Sequence, residues 1–257
     1  MFILYSSLQT PILIAYIDVP TATIISASLL ILMHIYYPLF SKKISKIWPN
    51  WSTAAGGFAV GYVFLLLLPK LTIVGNKGMV KWPEYPMLGL SVIYLFVLLG
   101  FVSYWLIDLL SSEDHPRHSY WRKVQSTSFF LYNVLMGELI ATNHDATPLV
   151  FSLSLFSILF HLAGMNHLFH HWHPRFFITR MRWIMSAGVL IGATGGYLAI
   201  FSGKVIGLAT AYMGGAILIN VIYYEMPRKR GSNTIPFLSG IMGFLVIITL
   251  VRYLMQY

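Results

Sequence analysis

Apolar residues along this chain run in long, unbroken stretches, without the regular polar interruptions of a soluble helix or strand. Stretches of about 17 to 25 apolar residues can cross a bilayer as helices. Eight are found, at 21–40, 52–71, 87–110, 125–142, 149–169, 183–201, 205–225 and 235–255. Prolines, glycines and basic residues gather in the short connections between them. Hydrocarbon offers no partner to backbone N–H and C=O groups, so a spanning segment must be a helix or part of a closed barrel. Barrel strands alternate in polarity, and these runs do not. The predicted fold class is all-α, a polytopic membrane protein with one eight-helix transmembrane domain over 21–257. Residues 1–20 are apolar but are interrupted by Asp18 and Pro20. They read as an N-terminal interfacial segment, with a ninth span as the alternative. No cleavable signal is expected, because Met1 to Ile17 lacks a basic start and a small-residue cleavage site.

Composition agrees with that pattern. Of 257 residues, 57% are hydrophobic and 10% charged, against about 25% charged in a soluble domain. A soluble enzyme of this size could not be covered by so few charges. There is no cysteine, which excludes disulfides, iron–sulfur ligation and thiolate metal sites. The net charge of +9 reads as basic loops gathered on one face rather than as nucleic-acid binding. The connections after spans one, three, five and seven carry 12 of the Lys and Arg residues: Lys42, Lys43, Lys46, Arg117, Arg122, Lys123, Arg175, Arg180, Arg182, Arg228, Lys229 and Arg230. The other side carries 5: Lys70, Lys77, Lys81, Lys204 and Arg252. The positive-inside rule then predicts the first set in the cytoplasm and both termini outside.

Ionisable residues inside hydrocarbon are costly unless paired or hydrated, so each is a functional candidate. Asp108, Glu138 and Glu225 are the embedded acids, His34 and His161 the embedded histidines, and Asn133, Asn166 and Asn220 add amides. Asp108 and Glu225 lie near span ends, where they can snorkel to the interface or pair with Arg and Lys. Glu138 lies about one turn from the outer end of its span and can also reach water. His34 reads as a core histidine hydrogen-bonded to a neighbouring helix.

Five of the nine histidines fall in the run HLAGMNHLFHHWHP: His161, His167, His170, His171 and His173. On a continuing helix His167, His170 and His171 share one face, and neutral imidazole is a good ligand for Zn, Fe, Ni and Cu. His161 lies deeper and on another face. The cluster reads equally as a metal site or as an interfacial patch beside Trp172. Glycines at 56, 57 and 61, at 188, 192, 195 and 196, and at 207, 214 and 215 mark close helix contacts.

The second and seventh spans share a layout, a glycine pair, an apolar run and a terminal proline: Gly56-Gly57 with Pro69, and Gly214-Gly215 with Asn220, Glu225 and Pro227. Together with Trp51-Ser52, Tyr132-Asn133, and His161 followed by Asn166-His167, these segments resemble the ZIP (Zrt/Irt-like) metal transporters, and most closely a divergent bacterial branch. The resemblance covers most of 51–257. It implies an eight-helix bundle in a bacterial cytoplasmic (inner) membrane with both termini outside, and a divalent metal such as Zn, Fe or Mn as cargo. It also implies a route past Asn133, Glu138, His161, Asn166 and Glu225. The family places His-Asn-x-x-Asp/Glu-Gly in helix four, where this chain has Tyr132, Asn133, Met136 and Gly137. It places His-Glu-x-x-His in helix five, where this chain keeps only His161, and it ends helix two in Pro-Glu where this chain has Pro69-Lys70.

Two other readings stay open. The thinned motifs and small-residue helix faces also suit a non-transporting accessory protein, packed against a second copy or against other membrane subunits. His167-x-x-His170-His171, with His115 and His118 on the same side, matches the histidine box of di-iron membrane enzymes. Those enzymes use about eight histidines, and at most seven lie on this side. The expectation is therefore not an enzyme.

Overall fold

The computed structural model describes residues 19–76, 86–111, 117–142, 148–227 and 232–254. The predicted segment 1–20 lies outside the described residues apart from Val19 and Pro20, which belong to the first helix. Among the described residues the chain is helical throughout and forms no strand. In chain order the rods are α1 (Val19–Ile47), α2 (51–76), α3 (Pro86–Leu110), α4 (His118–Thr142), α5 (Pro148–Trp172), α6 (Pro174–Tyr197), α7 (Gly203–Tyr224) and α8 (Ile235–Leu254). All but α4 are long and apolar enough to cross a membrane. Helix α4 is long enough but too polar by that measure, carrying Gln125, Asn133 and Glu138 along its length. The outer surface is apolar too: Ile24, Leu95, Leu190, Leu238, Val246 and Leu250 stand exposed, while His34, Asn133, His161 and Asn166 are buried. Polar groups inside and aliphatic groups outside are the arrangement of an integral membrane protein.

Prolines explain the irregular turns. Pro69 has no N–H and crowds the carbonyl of the preceding turn. Helix α2 accommodates it by widening into a π-turn at Val63–Leu67. Helix α5 stops at Trp172 because Pro174 follows and forces His173 out of the helical region, at φ −133° and ψ 64°. Pro174 then opens α6 from the first helical position, and a second π-turn spans Phe177–Met181.

Three helix pairs interlock through glycines. Gly137 of α4 lies against the Val189 carbonyl of α6, and Gly192 of α6 against the Val134 carbonyl of α4. Gly100 of α3 and Gly215 of α7 do the same with the carbonyls of Tyr212 and Val97. Gly57 of α2 and Gly240 of α8 do so with those of Phe237 and Ala54. A side chain at any of these positions would collide with backbone, so the absence of a Cβ sets the approach distance. Helices α1, α4, α5 and α6 pack mainly on one another, as do α2, α3, α7 and α8. The two groups meet chiefly where α2 lies along α5.

Candidate functional site

Where these groups meet, the bundle interior holds a polar core. Glu225 follows the last residue of α7, and its N–H bonds the Val221 carbonyl at 3.0 Å. The sequence left it free to snorkel; the structure buries it, at 4% exposure. Gly56 of α2 and Gly164 of α5 explain how. A methyl on Gly56 would stand 2.6 Å from Glu225 Oε2, and one on Gly164 would stand 2.6 Å from Oε1. The carboxylate occupies a niche that only glycines leave open. Neither of its oxygens has a hydrogen-bond partner among the described residues.

His161 of α5 faces that niche. Its Nδ1 lies 3.8 Å from Glu225 Oε1, too far for a hydrogen bond, and likewise has no hydrogen-bond partner among the described residues. Its Nε2 lies 2.8 Å from the Tyr132 hydroxyl of α4. An acceptor-rich carboxylate beside an open imidazole nitrogen, both buried, is an incomplete constellation in chemical terms.

A second layer is made by His34, which is fully buried in α1. Its Nε2 lies 2.8 Å from Asn133 Oδ1 and its Nδ1 lies 2.9 Å from Asn166 Oδ1. Asn133 is held in that orientation because its Nδ2 donates to the Phe129 carbonyl at 2.8 Å, so His34 donates from Nε2. Asn166 Nδ2 has no partner among the described residues. Turning that amide over lets it donate to a neutral His34, which satisfies the imidazole without a charge. Tyr132 and Asn133 are chain neighbours, so α4 supports both layers.

The candidates of the sequence are therefore only partly brought together. His161 and Glu225 meet. Asn133 and Asn166 meet through His34. Glu138 is buried with its Oε1 unpartnered, but it stands apart, its backbone against Gly192 and Gly196 of α6. His167 accepts or donates at Nδ1 to the Tyr37 hydroxyl at 2.9 Å, and its ring meets Trp51 edge-on. His170 packs against Tyr37 and Phe177. His173 sits off the helix at the Pro174 break. The side chains of His171 and His118, and all of His115, lie outside the described residues. Among the described residues, no three His, Asp or Glu side chains converge to hold a metal ion. Asp108 accepts from the Tyr224 hydroxyl.

Sequence reasoning placed His34 in the core but not at the hub of two amides; it marked Gly56 as a close helix contact without seeing Glu225 against it, and it missed Tyr37 and Gly164. The only available signal for Gly164 was its position three residues after His161, one turn along the same face.

No known protein family and no characterised relative matches this chain.

Proposed function

We propose that this protein is a ZIP-like membrane protein whose eight rods cross the bilayer, with both termini outside, and that it carries a divalent metal ion past His161 and Glu225. The observation that carries this reading is the facing of His161 Nδ1 and Glu225 Oε1 at 3.8 Å, two buried atoms without a hydrogen-bond partner among the described residues. Imidazole nitrogen with carboxylate oxygen suits Zn, Fe and Mn. A cation placed between them would offset the cost of burying both groups, and water or a neighbouring amide oxygen would complete its shell. Two protein donors bind less tightly than the closed four-ligand shell of a structural zinc. That suits cargo, which must leave as well as enter. The sequence resemblance of the segments that hold Trp51, Asn133, His161 and Glu225 is what supports the ZIP-like assignment.

The test is uptake of zinc, iron(II) or manganese into proteoliposomes holding the full chain. Time-dependent accumulation that disappears in His161→Ala and Asn133→Ala is expected. Uptake unchanged by both substitutions would remove these residues from the route.

A further inference from the structure

We infer that Tyr132 is a positioning residue for this site: its hydroxyl holds the His161 ring through Nε2 and so fixes the direction in which Nδ1 faces Glu225. The inference rests on the metal reading above and gives a role to the tyrosine that stands where the resemblance expects a histidine.

The geometry leaves His161 two polar neighbours. The Tyr132 hydroxyl is 2.8 Å from Nε2, and the Glu225 carboxylate is 3.8 Å from Nδ1. A neutral imidazole has one N–H and one lone pair, whereas a phenol can donate or accept. With the site empty, an N–H on Nδ1 faces the carboxylate and the phenol donates to Nε2. With a cation between Nδ1 and Oε1, Nδ1 must present its lone pair. Water entering with the cation takes the proton from Nδ1 and returns one to Nε2, the new N–H donates to the phenol oxygen, and the hydroxyl proton turns toward that water. The imidazole stays neutral and its proton count is unchanged. A hydroxyl that both donates and accepts fits each state, while a phenyl ring fits neither. Hydrogen bonds of this kind, to the far nitrogen of a ligating histidine, fix ring orientation and raise ligand basicity.

The tyrosine also has a packing role that can be separated from this one. Its ring lies edge-on to Tyr104 at 5.8 Å and to Phe129 at 6.3 Å. Phenylalanine keeps those contacts and removes only the hydroxyl.

The experiment titrates zinc into the detergent-purified full chain and records the ¹⁵N shifts of His161 in the metal-free protein. Tyr132→Phe is expected to weaken zinc binding by about 10- to 100-fold while the melting temperature stays within a few degrees. It is also expected to shift the His161 Nε2 resonance, because that nitrogen loses its hydrogen-bond partner. Wild-type affinity in Tyr132→Phe, or unchanged nitrogen shifts, would overturn the inference. If the wild type binds no zinc, or if Glu225→Gln and His161→Ala bind it as well as the wild type does, the metal reading is what fails. The metal-free shifts then decide the hold of Tyr132 on His161 by themselves.

Discussion

Arg252 donates from Nη2 to the backbone oxygen of Leu65 at 2.7 Å, and Leu65 stands four residues before Pro69. In an α-helix that oxygen would accept from residue 69, but proline has no N–H to give. An arginine from α8 thus serves a carbonyl that a proline in α2 leaves open. Arg182 of α6 also donates to a backbone oxygen of another helix, that of Ile35 in α1 at 3.0 Å, but there Leu39, not Pro38, is the residue four along. In hydrocarbon an unmet carbonyl is costly. Arg252→Met is expected to lower stability by roughly 1–2 kcal/mol, and Arg252→Lys by less, read as melting temperature in lipid-doped micelles. A melting temperature unchanged in Arg252→Met would mean that water, not the arginine, satisfies Leu65.

The glycine interlocks give a controlled pair of substitutions. A Cβ at Gly215 would collide with the Val97 carbonyl, whereas one at Gly243 meets nothing within 4 Å. Gly215→Ala must push α3 and α7 apart and is expected to cost about 1–3 kcal/mol. Gly243→Ala is expected to be neutral or to stabilise by up to about 1 kcal/mol. Equal melting temperatures for the two variants would contradict the packing.

The α6–α7 connection carries strain that can be relieved. Ala199 has φ +50°. The Ile200 N–H bonds the Gly195 carbonyl and the Ala199 N–H bonds the Gly196 carbonyl, each at 3.1 Å. This is a Schellman cap with alanine where glycine is usual. Ala199→Gly is expected to stabilise by about 1 kcal/mol, visible as a higher melting temperature, with Ala199→Val moving it the other way.

Orientation can be read without background labelling, because the chain has no cysteine. Cysteines placed singly at Lys43 and Ser232 are expected to react from the cytoplasmic face, and one at Ser202 from the other face. An impermeant maleimide on sealed vesicles of each orientation checks this. Lys43 and Ser232 reacting from opposite faces would break the eight-crossing arrangement.

The rods were legible in the sequence because hydrocarbon dictates composition. A run of apolar residues long enough to span declares itself whatever it packs on. The end of α5 was less so: the predicted span stops at 169, and the helix runs on to Trp172, where Pro174 halts it. The pairing of the rods was not. Glycines at 137 and 192 announce a close approach, but nothing in the sequence says that the carbonyls of Val189 and Val134 are what approach. Helix α4 blurred the span count because its polar side chains find partners inside the bundle, as Asn133 does in His34. Glu225 was visible as an embedded acid, yet its depth was not. Its burial depends on Gly56 and Gly164, one on each of two other helices. The histidine face at 167 and 170 followed from helical spacing. Its partners, Tyr37, Trp51 and Phe177, come from α1, α2 and α6, and they turn those two rings toward aromatic packing.

The most direct test of the central claim is an anomalous or difference map of the full chain soaked with zinc or manganese. A peak is expected between His161 Nδ1 and the Glu225 carboxylate, lost in Glu225→Gln. A wild-type map empty there, or holding its metal only at His167 and His170, would contradict it.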